Sequence, residues 1–296
     1  MNLTTEIEDS AVYERLTMLK RVITGTCIIA AVIPILIFSH TWIFPCVIAI
    51  VSAMCVYELA HCMGMHKRIA MTAPLYLFAV AFPFLQRLNA FENDIYIASI
   101  AIMAVIFYVA YLFGCVIFSR GKITYPEICT LGFSAFYILF ALNLVIYIRD
   151  YNGYVALLII IGAWVTDTMA YFTGRLFGKH KLAPDISPKK TVEGSIGGSI
   201  CCAIAFVLLG VIVSAVVPEI SPNYIYLAVS GLVISVISQA GDLIMSAMKR
   251  HYGIKDFGNI LPGHGGMLDR MDSMLAVSLG IEVMVMFSFI TGISLF

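Results

Sequence analysis

Charged side chains are scarce in this chain: Asp, Glu, Lys and Arg make up 12% of its 296 residues, against 61% hydrophobic. Soluble domains carry about a quarter charged residues, so an ordinary water-soluble domain is excluded, and a mean hydropathy of +0.96 puts most side chains in lipid. A surplus of either sign is missing too, because 18 Lys and Arg face 18 Asp and Glu. That balance gives no reason to expect a nucleic-acid partner. The eight cysteines, Cys27, Cys46, Cys55, Cys62, Cys115, Cys129, Cys201 and Cys202, contain no Cys-x-x-Cys spacing, so a zinc ribbon or dithiol centre is not indicated. They read as small buried hydrophobes. There is no repeat of fixed period, no low-complexity tract, and no Gly-x-x-x-x-Gly-Lys-[Ser/Thr] loop that would signal ATP hydrolysis.

Long apolar runs are what the chain has in abundance. A spanning helix needs roughly 20 mostly apolar residues, and about nine such runs occur, near 22–39, 43–63, 70–86, 95–118, 127–148, 154–173, 196–217, 224–244 and 271–294. Backbone inside a bilayer must satisfy its own hydrogen bonds, and the runs lack the alternation of a barrel, so the expected fold is an all-α polytopic membrane protein. Residues 1–21, with Glu6, Glu8, Asp9, Glu14, Arg15, Lys20 and Arg21, read as a cytoplasmic amphipathic leader to a first span, and not as a removed signal peptide. With the N-terminus in the cytoplasm, every lysine and arginine except Arg87 and Arg149 falls on the cytoplasmic side, and the C-terminus lies outside. The expected organisation is an N-terminal transmembrane scaffold over 22–150, of about five helices by span length, and a catalytic transmembrane region over 151–296. The latter has two long inside loops, near 174–195 and 245–270.

Most of the remaining chemistry sits in those two loops. Asp242 ends the eighth span, and Asp269 and Asp272, three apart, share a face where the ninth begins. A helix dipole favours their ionised form, and the connection between the spans is long enough to bring Asp242 to them. Hard oxygen donors without neighbouring cysteine suit Mg²⁺, which takes one or two carboxylates and completes its shell with water and phosphate oxygens. The bland alternative is helix caps and ion pairs with Lys249, Arg250 and Arg270. Against it, an uncompensated Asp242 in an apolar span carries an insertion cost. Asp167, deeper in the sixth span, weighs more in the same direction. The run Leu261-Pro262-Gly263-His264-Gly265-Gly266 strips side chains from the approach to a helix N-terminus, which suits a phosphate, with His264 as a hydrogen-bond donor to it. In the other loop, Ser187-Pro188-Lys189-Lys190-Thr191-Val192-Glu193-Gly194 sets two lysines before a hydroxyl, a carboxylate and glycine, which also suits a polyphosphate. Glu58 and His61, three apart in the second span, read as a local pair, and Glu282 as a lone acid without an assigned role.

The order Ser246-x-Met248-Lys249-Arg250, Lys255-Asp256-x-Gly258, Leu261-Pro262-x-His264-Gly265-Gly266-Met267-x-Asp269-Arg270-Met271-Asp272 resembles the signature of the phosphatidate cytidylyltransferases, also called CDP-diacylglycerol synthases. Ser187 to Gly194 resembles that family as well. The resemblance implies transfer of a cytidylyl group from CTP to phosphatidic acid, giving CDP-diacylglycerol and pyrophosphate, with Mg²⁺ held by Asp242 and Asp269 and a second cation left open. It implies Asp242, Asp269, Asp272, Lys249, Arg250, His264 and Arg270 as the catalytic set. Ser187, Lys189, Lys190, Thr191, Glu193, Lys255, Asp256, Gly265, Gly266 and Asp167 are expected to bind substrate. The partners implied are CTP, phosphatidic acid and the bilayer, with a homodimer compatible with the family, in the plasma (inner) membrane of a bacterium with the active site facing the cytoplasm. Two other classes compete: an ion-coupled secondary transporter using Asp167, Asp242 and Glu282, and a membrane lipid or polyprenol kinase.

Overall fold

A computed structural model describes residues 26, 30–92, 95–261, 263 and 265–296, with 90–92, 95–98 and 101 described by backbone alone. Residues 30–37 are helical. Then follow α1 (Ile43–Cys62), α2 (Ile69–Glu92), α3 (Ile95–Phe118), α4 (Tyr125–Tyr151), α5 (Gly153–Phe177), strands β1 (Lys181–Ala183) and β2 (Ser187–Thr191), α6 (Val192–Val216), α7 (Tyr224–His251) and α8 (Leu268–Thr291). Among the described residues seven helices, all of these but α3, are long and apolar enough to cross a membrane, and α3 contributes the apolar stretch Ile102–Phe118. The chain is thus of the all-α polytopic membrane type. Most of the expected first span, 22–39, and the leader 1–21 lie outside the described residues.

Two differences from the sequence expectation matter for the site. The loop near 174–195 holds an antiparallel hairpin, with Lys181 opposite Thr191 and Ala183 opposite Ser187. A two-stranded ribbon this short has almost no pattern to read. The eighth span, expected to stop near 244, continues as α7 to His251. Hydropathy falls at Lys249 and Arg250, but both are good helix formers, so the helix outlasts the apolar run.

Local chemistry starts most helices. Glu127 accepts the Thr124 N–H at 2.8 Å in a capping box at α4. The side chains of Asn152, Thr191 and Asn223 cap α5, α6 and α7 by accepting from Tyr154 N, Gly194 N and Tyr226 N. α8 is the exception: its N-cap, Met267, has no side-chain cap of its own.

Helices α5 to α8 pack in succession, α1 and α2 pack on α4, and α8 touches α1, α4 and α5. Two buried apolar clusters result. One joins α1, α2 and α4 with Met245, Phe257, Leu268 and Leu275; the other joins α5 to α8 with the end of α4. A Cβ on Gly241 would stand 2.4 Å from that of Ala276, so its absence lets α7 and α8 approach closely beside Asp242 and Asp272. At the opposite end of the molecule Arg87 and Arg149, the two cations expected outside, converge on Asp150, and Arg87 also donates to the Ser39 carbonyl at 2.6 Å.

Candidate active site

Where α5, α7 and α8 meet, a cavity of about 280 Å³ is lined by Asp167, Asp242, Lys249, Asp256, Asp269, Arg270 and Asp272. Its wall is almost wholly ionic. Asp242 is paired with Lys190, which reaches over from β2, and its other oxygen accepts from Ser246 Oγ at 3.4 Å. Lys190 also donates to the Gln239 carbonyl at 3.4 Å. Asp167 is oriented by Ser273 Oγ at 2.8 Å. Asp272 accepts the Ser273 N–H through Oδ1 at 2.8 Å and lies within coulombic reach of Asp242 and Asp167.

Asp269 is the most heavily engaged of the five aspartates. The residue is buried, 7% exposed. Oδ1 accepts from Lys249 Nζ at 2.8 Å, while Oδ2 accepts the N–H groups of Phe257 at 2.8 Å and Gly266 at 3.0 Å. Lys249 is itself buried, its ammonium 5.3 Å from the centre of the Phe257 ring. The three bonds leave a carboxylate with about four acceptor sites room for one more partner. Asp269 thus ties α7, the connecting loop and α8 into one unit.

The donor set fits a hard divalent cation. With Asp242 matched by Lys190 and Asp269 by Lys249, Asp167, Asp256 and Asp272 face only Arg270 on the cavity wall. Such an excess of carboxylate raises the energy of the site unless a cation or a proton joins it. No group of three or more His, Cys, Asp or Glu among the described residues is arranged to hold an ion unaided.

The remaining expected residues divide. Arg250 is turned away from the cavity: it donates to the carbonyls of Ile254 at 3.0 Å and Ile186 at 3.4 Å, fastening the loop and hairpin to α7. Thr191 is the α6 cap, and Glu193 accepts Lys179 N at 3.0 Å and meets His180 Nδ1 at 2.6 Å, so both hold the hairpin in place. Lys189 and Lys255 are exposed, and Ser187 begins β2. Gly265 has φ +83 and its carbonyl accepts from Leu261 N at 2.9 Å. The Gly266 N–H, read from sequence as facing a phosphate, is given to Asp269. His264 and Pro262 lie outside the described residues.

The expected Glu58 and His61 pair does not form. The His61 ring lies against Tyr57 and His66, at 6.0 and 4.7 Å between centroids, whereas Glu58 is buried and accepts the N–H groups of Met267 at 2.9 Å and Leu268 at 2.7 Å. Their spacing put both on one side of a helix, but the loop before α8 offered Glu58 two stronger donors. Sequence reasoning also missed Ser273, whose hydroxyl orients Asp167, and the Gln239 backbone carbonyl, which accepts from Lys190. The first had only a hydroxyl beside Asp272 as its signal, and a backbone carbonyl has none in the sequence. Glu282 is buried with Oε2 unpaired, and it is not among the cavity residues.

Fold and cavity together define a polytopic membrane protein with an aspartate-lined cavity at one end of its helices. The Cytidylyltransferase family model matches residues 19–289, and the chain belongs to that family. It is 40% identical over 181 residues to phosphatidate cytidylyltransferase of Bacillus subtilis (strain 168), covering 60% of this chain and 64% of the relative. It is 35% identical over 192 residues to phosphatidate cytidylyltransferase of Staphylococcus saprophyticus, covering 65% and 70%. Over 114 residues it is 50% identical to the protein of that name from Staphylococcus haemolyticus, covering 38% and 42%. The alignment thus spans a little under two thirds of the Bacillus protein's length.

Proposed function

We propose that this chain transfers a cytidylyl group from CTP to phosphatidic acid. A phosphate oxygen of the lipid attacks the α-phosphorus of CTP, the bond from that phosphorus to the bridging oxygen breaks, and pyrophosphate leaves with the electron pair. The observation that carries the reading is the aspartate-lined cavity, bordered by Lys190 and Lys249, in a member of the Cytidylyltransferase family. Phosphatidate's phosphate is already an adequate nucleophile, so the work is alignment of two polyanions and neutralisation of charge developing on the leaving group.

Asp242 and Asp269 are the residues we assign to Mg²⁺, with Asp272 and Asp167 beside them. When bound, the ion supplies Lewis-acid charge stabilisation of the phosphoryl oxygens. The chain's own residues do the rest. Lys249 holds Asp269 in one orientation, Arg270 offers a cation to phosphate at the cavity mouth, and Lys190, paired with Asp242, would be free for a phosphate if a divalent cation took its place on that carboxylate. Exposed Lys189 and Lys255 meet the nucleotide's outer phosphates or the lipid headgroup, and His264 donates to substrate phosphate. Nine spans with the N-terminus in the cytoplasm would bring this cavity to the inner face of a bacterial plasma membrane, where CTP and lipid both arrive. The convergence of Arg87 and Arg149 at the other end supports that polarity. Residues 22–150 then act as scaffold and 151–296 as the catalytic region, with a homodimer as the assembly.

The test is incubation of detergent-purified protein with labelled CTP, phosphatidate and Mg²⁺. A labelled liponucleotide and pyrophosphate are expected, abolished by EDTA and restored by excess Mg²⁺. No liponucleotide from active, folded protein would overturn the reading. The transporter alternative loses support because Glu282, ten residues beyond Asp272, is about 15 Å farther along α8. Lys190→Ala is expected to raise KM for CTP or lipid by about tenfold, the scale of one charge-assisted contact, and Lys189→Ala by less. Unchanged constants in both variants would make the hairpin lysines topological only.

A further inference from the structure

We infer that Glu58, on α1 and far from the signature in sequence, is a positioning residue for the reaction: it caps α8 and, through Met267 and Leu268, holds the adjoining Asp269 at the catalytic cavity. The inference rests on the proposed activity for its kinetic readout and on geometry for its structural one.

α8 begins without a local cap, which would leave first-turn N–H groups without partners. Glu58 supplies them from elsewhere, Oε1 accepting from Met267 N at 2.9 Å and Oε2 from Leu268 N at 2.7 Å, across 209 and 210 residues of chain. One oxygen on each N–H, next to the positive end of a helix dipole, is the hydrogen-bonding pattern of a carboxylate. Its side chain is 1% exposed by residue, so the contact is shielded from water and from competing donors.

The signature's own glycines bear on the same point. Gly258 and Gly266 do not have positive φ, unlike Gly253, Gly263 and Gly265. What they provide is space. A Cβ on Gly258 would lie 2.4 Å from Glu58 Oε1, and one on Gly266 would lie 2.5 Å from Glu58 Oε2. Two glycines on either side of the loop are therefore fitted to one carboxylate from the N-terminal half. Leu268, held by Glu58, directly precedes Asp269, which in turn binds Gly266 N, Phe257 N and Lys249. Glu58 thus acts on the cavity through Asp269, with no place on the cavity wall.

The test uses the full chain in detergent. Hydrogen exchange, measured without Mg²⁺ or substrate, is expected to speed up at the Met267 and Leu268 amides by on the order of tenfold or more in E58Q, the scale of buried bonds to a charged group. With substrates, kcat is expected to fall on the order of tenfold while KM for phosphatidate stays within about twofold. G258A leaves Glu58 in place but intrudes on it, so it is measured in parallel and should give the same two changes. In the E58A background, G258A should cost less than about twofold more, because the clash is gone. Wild-type exchange and kcat in both E58Q and G258A would overturn the inference, as would additive losses in the E58A pair. Should E58Q or E58A not fold, G258A alone decides: wild-type exchange there removes the contact. If the wild-type chain makes no liponucleotide, the proposed activity fails, and the exchange result still decides the capping role.

Discussion

Asp269→Asn is expected to lower kcat for CDP-diacylglycerol formation by on the order of a thousandfold, about 4 kcal/mol on the barrier, the scale of losing a metal's charge stabilisation of the phosphoryl oxygens. Asparagine keeps the volume but turns one acceptor into a donor. If the amide nitrogen takes the Oδ1 place it meets the Lys249 ammonium; if it takes the Oδ2 place it meets the N–H groups of Phe257 and Gly266. Either orientation sets donor against donor in a buried site. The substitution also removes one of the two carboxylates assigned to Mg²⁺. The measurement is the rate of labelled liponucleotide formation at saturating CTP and phosphatidate over a Mg²⁺ series, and raising Mg²⁺ is not expected to restore it. Turnover within a few-fold of wild type would remove Asp269 from both roles.

Lys249→Met should produce the largest loss of stability. Methionine preserves the apolar stem against Phe257 but leaves Asp269 as a buried anion with two backbone donors and no counter-charge. Removing one partner of a buried pair costs about 3–5 kcal/mol, more than an exposed pair of the same geometry, which contributes about 0–1 kcal/mol. Thermal unfolding in detergent is expected to move to lower temperature. The double variant K249M/D269N should recover much of that loss, because neither group then carries an unmatched charge, while remaining inactive. If K249M unfolds with the wild type, or the double variant is the sum of the single ones, the pair is not coupled.

How far the site could be read in advance depends on where each interaction lies along the chain. Asp242, Asp269 and Asp272 were legible because acids bordering apolar spans are conspicuous and a helical spacing places the last two together. The cavity brings the three together, with Asp167 and Asp256 added to its wall. Arg250, Thr191 and Glu193 were equally conspicuous by type and spacing, yet the structure gives Arg250 and Glu193 to backbone groups of the two loops and Thr191 to the first turn of α6. Basic and hydroxyl side chains serve a phosphate or a backbone atom equally well, and residue type does not distinguish the two. Glu58 had a partner suggested by local spacing, and the partner it took lies 209 residues away.

Composition and order along the chain determined the membrane setting, the order of the helices and most of their ends to within about four residues, with α2 and α7 running further, and the identity of the signature. Bilayer thickness and backbone hydrogen bonding impose these rules locally, run by run. Tertiary structure alone decided which cation neutralises which aspartate, that the loop before α8 folds around the protein's own carboxylates, and that α1 contributes one of them. Those outcomes depend on how closely the helices pack, as at Gly241 against Ala276, and a side chain buried between helices takes whichever donor that packing brings within about 3 Å.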